Sequence, residues 1–508
     1  MENSAPGRTG VNRRHALGLI GAGVAATSVR PALAQGTASP VPATAGRSAV
    51  TPTWVATSAG RPWQPRALPS LGPRGTDIFA EDVQIQLDQP RQTMAGFGGA
   101  FGEKGWEALQ HLPAATRAAA IGALFGDDGC AFSQCRTPIG ANDIARGWYS
   151  YDETPGDFDL KHFSVANDRE TLIPFIKAAQ TFRPDLKVWA SPWSPPSWMK
   201  KGGHYAQAPA WPGQPSNGIR PDQLGKEGTD SFILEDRYLA AYARYFGRYV
   251  EEYRKVGISI STVMPQNEFN SAQPFPSCTW TPEGLAQFLP YLGREMDKLG
   301  VPVFFGTLER GNADLFSKVM ADPAAAAVVK GIGVQWAGKG ALPALRERFP
   351  DLTLWGSEQE CGIGTNDWRY ARYGWSTLKR YFEHGACAWT YWNMVMPEGG
   401  MSGWGWPQNC LVSVDTKAGT FRLTEDYWLV RHVAQFVRPG ARMIPADSFL
   451  GFTDQLAFRN PDGSLVLVAS NPIAQPSTVR YGVAGKVLTL TLEPDSLNTV
   501  VIPAGALA

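Results

Sequence analysis

Between residues 94 and 394 the sequence alternates eight times between a short strand-like run and a longer stretch with helical apolar spacing. That rhythm limits the possible folds more than any other feature. The strand-like runs cover 95–100, 132–140, 187–194, 261–268, 302–309, 331–337, 353–360 and 386–394. Helical patterns stand between them, among others over 169–180, 236–256, 282–299 and 368–384. Eight βα units in succession are what a (β/α)8 barrel requires. A doubly wound nucleotide-binding sheet is the competing α/β arrangement. It would need a phosphate loop after the first strand, and Gly96-Phe97-Gly98-Gly99 is not followed by the lysine of one, so these glycines read as a tight strand end.

The barrel is assigned to residues 94–436, and the flanks have a different character. From 437 to 508 the sequence breaks into short β-rich segments separated by turn residues such as Pro461-Asp462-Gly463, the pattern of a small all-β sandwich. We expect this module to pack on the barrel as a side domain, completed by N-terminal strands from 76–93. Residues 35–75 are rich in Pro, Ala, Thr and Ser and contain no Asp or Glu. They read as a linker with room for a short strand near 54–58. Ahead of them, Arg13-Arg14 precede an apolar run over 16–29 and a small-x-small site at Ala32-Leu33-Ala34. Residues 1–34 thus read as a twin-arginine-like signal peptide, giving a periplasmic or extracellular destination. The run is too short for a membrane anchor, so no stable membrane insertion is expected.

Composition excludes several function classes. The formal net charge is +1, which gives no reason to expect nucleic acid as a partner. There is no CxxC, no HExxH and no Cys/His cluster, so neither metal nor other cofactor is expected. Cys130 and Cys135 are close enough to pair, and free buried thiols are the equal alternative. The 18 Trp are mostly accounted for by core packing, and the remainder suit stacking on sugar faces. Oligomeric state is left open, a monomer being sufficient.

In a (β/α)8 barrel, chemistry sits at the C-terminal ends of the strands. Strand 2 carries Arg136, with Asn142 and Asp143 just beyond it. Strand 3 ends in Ser191-Pro192-Trp193-Ser194-Pro195-Pro196-Ser197-Trp198, and strand 4 in Gln266-Asn267-Glu268. Strand 6 ends in Gln335-Trp336, strand 7 in Ser357-Glu358-Gln359-Glu360, and strand 8 in Tyr391-Trp392-Asn393. Two carboxylates, Glu268 and Glu358, therefore converge on one mouth with aromatic walls around them. Cleavage of a glycosidic bond needs such a pair, one to protonate the leaving oxygen and one to attack the anomeric carbon. An Arg136 aimed at Glu358 would favour its ionised form. A lone glutamate at a strand end is ordinarily a surface or ion-paired residue, but two at one barrel mouth beside Asn and Trp are not so easily set aside. A non-catalytic carbohydrate-binding barrel is the alternative from a different class, and it has no need of both glutamates.

These residues lie in segments that resemble glycoside hydrolase family 30, which includes glucosylceramidases and β-1,6-glucanases. The matching segments include Met94-Ala95-Gly96-Phe97-Gly98-Gly99-Ala100-Phe101, Arg136-Thr137-Pro138-Ile139-Gly140, the long Ser-Pro-Trp-Ser-Pro-Pro run, Gln266-Asn267-Glu268, Ser357-Glu358 and Trp392-Asn393. The resemblance implies a barrel with an attached β-sandwich and a retaining β-glycoside hydrolase. Glu268 would be acid/base and Glu358 nucleophile, with a β-glucoside or β-glucan as substrate. Relatives acting on xylosides or fucosides keep those sugars open. The resemblance also implies that Asn267 holds the sugar 2-hydroxyl and that Asp143, Trp193 and Trp392 surround the terminal sugar. Arg136, Trp336 and Asn393 complete the expected substrate-binding set. It selects Glu358 over its neighbour Glu360, which alternation would place on the same strand face. The sequence departs from the family pattern at Gln335-Trp336-Ala337, at Tyr391, at Gly102-Glu103-Lys104 and at Phe269, all positions that border the sugar subsites.

Overall fold

The computed structural model describes residues 51–77 and 79–507. The expected signal peptide and the first part of the expected linker lie outside the described residues.

Eight parallel strands close into a barrel in chain order. They are β1 Gly96–Ala100, β2 Gln134–Ile139, β3 Lys187–Pro192, β4 Ile260–Val263, β5 Val303–Leu308, β6 Val329–Gln335, β7 Thr353–Gln359 and β8 Ala386–Asn393. Every expected strand is present, and β8 closes on β1 in the register Ala388↔Gly96 to Tyr391↔Gly99. Close approach explains the glycines of β1. A Cβ on Gly98 would lie 1.9 Å from the carbonyl oxygen of Gln134 on β2. Inside, Trp189, Met264, Phe304 and Trp355 fill the lower barrel, so it is a packed core with only its upper mouth available for chemistry.

Strand β4 departs from expectation. Regular pairing stops at Val263, and residues 264–268 continue as an irregular arm. Backbone bonds from Met264 N–H to Ala190 O (2.9 Å) and from Asn267 N–H to Pro192 O (2.7 Å) hold the arm on β3. The reason lies at its tip, where Glu268 has φ 46°, a left-handed conformation that interrupts a regular ladder.

The sandwich consists of a six-stranded and a five-stranded sheet. At the centre of the larger sheet, Leu465–Asn471 pairs with Ser496–Ile502, which in turn pairs with Thr53–Ser58. The short strand expected near 54–58 is present as Thr53–Ser58, and the linker expectation is corrected over Arg61–Pro65, which is a second strand of this sheet. Arg61–Pro65 is the edge of that sheet, which suits Pro62 and Pro65, since neither can donate a ladder bond. Alternation along Leu465–Asn471 shows why both faces of the larger sheet are apolar. Leu465 and Leu467 point into the core between the two sheets, while Val466 and Val468 join the core shared with the barrel. His432, on the helix Glu425–Ala434, fastens the same junction, bonded to the hydroxyls of Thr57 and Thr499 at 2.8 Å each. Burial holds this imidazole neutral, with a pKa near 3.

All six cysteines are free and buried, so Cys130 and Cys135 do not pair. Among the described residues no helix is long and apolar enough to cross a membrane, and no cluster of His, Cys, Asp or Glu could hold a metal ion.

Three phenylalanines connect barrel to sandwich edge to face. Phe97 on β1 meets Phe382 at 5.6 Å, and Phe382 meets Phe458 of the sandwich at 6.0 Å. Phe458→Ala is expected to lower stability by about 3–5 kcal/mol. Urea unfolding followed by Trp fluorescence should show one shifted transition. A separate early transition for the sandwich would contradict a shared core.

Candidate active site

Arg136 sits on β2 with its side chain inside the barrel and fully buried. A guanidinium in that position is tolerable only if its donors are used. Nη1 donates to Glu358 Oε2 at 2.6 Å, Nη2 to Asn267 Oδ1 at 2.7 Å, and Nε and Nη2 to Ser191 Oγ at 3.1 and 2.8 Å. Its plane is covered by the rings of Trp193, Trp189 and Trp392, whose centroids lie 4.3, 4.8 and 5.6 Å away. Trp193 and Trp392 stack on one another at 5.1 Å.

Glu358, near the end of β7, accepts from Arg136 on one oxygen and from the Trp336 indole N–H on the other, at 2.7 Å. Burial raises its pKa, and Arg136 and Trp336 oppose that rise by favouring the charged form. Glu268 faces the opposite balance. Burial raises it well above the ordinary carboxylate range, and the charges of Glu358, Glu309 and Asp143 push the same way. The charge of Arg310 opposes them. Burial therefore raises both carboxyls, and Glu358 is the one with a buried cation and an indole N–H bonded to it to oppose the rise.

Asn267 has one orientation. Arg136, Gln335 (3.1 Å) and Thr307 (3.2 Å) all donate to its Oδ1, which leaves the Nδ2 hydrogens for a ligand. Asp143 is buried and accepts from Gln408 Nε2 at 2.7 Å, and burial pushes its pKa up to about 7. The adjoining cavity, about 620 Å³, is lined by Glu268, Glu309, Trp336 and the aromatic side chains of Trp211, Phe275 and Trp406.

The sequence matches the model of the glycosyl hydrolase family 30 TIM-barrel domain over residues 94–437. The chain belongs to glycosyl hydrolase family 30. Its second module matches the family 30 β-sandwich domain over 448–500. The chain is therefore a glycoside hydrolase acting on carbohydrate. It is 27% identical over 420 residues to the lysosomal acid glucosylceramidase of Mus musculus, covering 77% of each chain. It is 24% identical over 439 residues to the endo-1,6-β-D-glucanase of Neurospora crassa, covering 82% of this chain and 86% of that one. The crystal structure of SrfJ from Salmonella typhimurium has the same fold, with a TM-score of 0.78 at 24% identity, over 89% of this chain and 99% of that one.

Within this family 30 enzyme the structure brings Arg136, Asn267, Trp336 and Glu358 into one bonded network, with Trp193 and Trp392 stacked on the arginine. Glu360 lies outside it. The strand ends at Gln359, so alternation no longer governs Glu360, which bonds Lys339 and the Tyr373 hydroxyl on the outer side. Asn393 gives both amide hydrogens to the loop after β8, at Gln408 Oε1 (2.8 Å) and Asn409 O (3.1 Å). It thereby positions the loop that brings Gln408 to Asp143. Tyr391 points away from the mouth into the main core, one step out of phase with Trp392.

Sequence reasoning missed Glu309 and Gln408. Glu309 follows β5 directly, so the strand-end rule that found Glu268 would have found it. It is buried, accepts from Asn270 N–H (3.0 Å) and Ser271 Oγ (2.9 Å), and burial pushes its pKa to about 7. Nothing local in the sequence marks Gln408, which reaches Asp143 only through the fold of its loop.

Trp336 has φ 48°, and this left-handed turn aims its indole at Glu358. Trp336→Phe keeps the ring and removes the donor, so the pKa of Glu358 rises. The acid limb of the kcat/KM profile should move upward by about one pH unit, the worth of one hydrogen bond to a charged group. An acid limb that stays in place refutes the role.

Proposed function

We propose that this enzyme cleaves β-glucosides or β-glucans with retention of configuration, using Glu268 as acid/base and Glu358 as nucleophile. The observation that carries this reading is the unequal surroundings of the two carboxyls: Glu358 is bonded by Arg136 and Trp336, which favour its charged form against burial, while burial and neighbouring carboxylates together raise Glu268 well above the ordinary range. Catalysis by a carboxylate pair needs that inequality.

In the first step Glu358 attacks the anomeric carbon while Glu268 gives its proton to the departing oxygen. The sugar is left esterified to Glu358. Glu268, now a carboxylate, takes a proton from a water molecule whose oxygen attacks the same carbon and frees Glu358. Arg136 neutralises the carboxylate that is released. The Nδ2 hydrogens of Asn267 suit the sugar 2-hydroxyl, where a bond strengthens as charge develops at the neighbouring carbon. Asp143 suits acceptance from further hydroxyls, and Trp193 and Trp392 suit the walls. The preference for a glucose-type substrate is supported by relatives named as a glucosylceramidase and an endo-1,6-β-glucanase. Export to the periplasm or beyond is part of the proposal, motivated by Arg13-Arg14 and the apolar run behind them.

Glu268→Gln and Glu358→Gln should each lower kcat by at least about a hundredfold on an unactivated glycoside. Azide should restore turnover to Glu358→Ala and give an α-glycosyl azide. Proton NMR of the wild-type reaction should show the β-anomer as the first product. Full activity in Glu358→Gln, or an α-anomer first, excludes the mechanism. A panel of aryl β-glucosides, xylosides, galactosides and fucosides identifies the sugar.

A further inference from the structure

The mouth of the barrel is divided into a sealed half and an open half. On the sealed half, loops after β1, β2, β3 and β8 are bonded to one another around Asp143. Gly403, in the loop after β8, donates its N–H to the carbonyl oxygen of Asp143 at 2.8 Å. It sits so close that an added Cβ would lie 2.8 Å from the carbonyl oxygen of Ala145. Lys104, after β1, donates its N–H to Ile144 O at 3.1 Å, and Arg146 N–H reaches the buried Glu103 at 3.0 Å. Trp148 of the β2 loop stacks on Tyr205 of the β3 loop at 5.0 Å and 15°. The hydroxyl of Tyr205 accepts from the Trp404 indole of the β8 loop at 3.4 Å. These contacts run unbroken from the β1 loop to the β8 loop, and inside them Asp143, Trp193 and Trp392 are each at most 3% exposed.

The open half lies over β4, β5 and β6, with Trp211 of the β3 loop and Trp406 of the β8 loop at its rim. The 620 Å³ cavity borders Glu268, Glu309 and Trp336, and none of Asp143, Trp193 and Trp392 lines it. Polarity of cleavage follows from Glu268. The group that protonates the leaving oxygen must stand on the leaving-group side, so the room is on that side. The sugar that is attacked is enclosed behind it.

We infer that the enzyme is exo-acting and releases one sugar at a time from the non-reducing end. This rests on the roles proposed for Glu268 and Glu358, which fix the direction of the substrate. A chain continuing past the attacked sugar would have to pass through the loop interlock around Asp143. An endo-acting site would need a groove open at both ends, and among the described residues the cavity at the mouth opens on the side bordered by Trp211, Phe275 and Trp406, away from the interlock.

The test compares 4-nitrophenyl β-glycosides bearing one sugar with those bearing a three-sugar, β-1,6- or β-1,3-linked glycone. The one-sugar compound should release nitrophenol immediately. The three-sugar compounds should release it after a lag, with monosaccharide as the first carbohydrate product by chromatography. Immediate nitrophenol from a three-sugar glycone, with free trisaccharide beside it, overturns the inference and leaves the two-glutamate mechanism standing. Cleavage of a β-glucan polymer with no activity on any one-sugar compound overturns it equally. If neither chromogenic series nor polymer is cleaved, the hydrolase reading fails first and takes the inference with it. As a second measurement, the double substitution Trp148→Ala and Trp404→Ala loosens the interlock. It should raise immediate release from the three-sugar compounds by tenfold or more relative to the one-sugar compound. No change in that ratio overturns the assignment of the interlock as the barrier.

Discussion

An arginine buried in the throat of the barrel organises the site. Arg136 binds Ser191 of β3, Asn267 of the β4 arm and Glu358 of β7, and lies beneath Trp392 of β8. Losing any one of the bonded partners leaves an unpaired charge or donor buried away from solvent. Breaking such a buried pair typically costs about 3–5 kcal/mol. The charge thus constrains five of the eight strands in register, counting its own. The Ser-Pro-Trp-Ser-Pro-Pro run of β3 is best understood as part of that support. Ser191 accepts from the guanidinium, Pro192 holds the β4 arm, and the Trp193 carbonyl accepts from Gln266 at 2.7 Å.

The same constraint explains where the backbone departs from regularity. Glu268 and Trp336 both adopt left-handed φ values, a state that costs on the order of 1–3 kcal/mol for a residue with a side chain. Both are held there by bonds the scaffold provides. The Glu268 N–H donates to the Thr307 hydroxyl at 2.9 Å, and the Trp336 indole is fixed by Glu358. At the barrel mouth the two left-handed residues are thus ones whose direction matters to Glu358 and the cavity beside it.

Much of this was legible in the sequence. The eight-fold alternation located every barrel strand, because a barrel strand buried on both faces leaves a compact apolar signature. Strand-end position then identified Arg136, Glu268, Glu358 and the tryptophans. Three things were not legible. The end of β4 reads as a strand because it continues the run Ile258–Val263, rich in β-branched residues, yet its conformation is set by neighbours on β3 and β5. Thr53–Ser58 reads as a short strand set in a linker, and its place in a sheet is not legible from its own residues. Its partner is Ser496–Ile502, a pairing no local window contains. The Gln408–Asp143 bond joins loops that only the closed barrel brings together, and Glu309 was legible in principle but carried no motif to draw attention to it.

The pairing of Thr53–Ser58 with Ser496–Ile502 also has a bearing on synthesis. Trp54 lies opposite Val500, so one of the earliest described segments must wait for one of the last. While the chain is still on the ribosome, the six-stranded sheet lacks its central strand. Val466 and Val468 then have no completed sheet on which to meet the barrel. Contacts of such sequence separation form slowly. The barrel's outer face and the sheet remain vulnerable to aggregation until the final strand is delivered. The C-terminal strand therefore acts as a clasp, and a chain truncated within 496–502 is a substrate for proteases and chaperones before it is ever an enzyme.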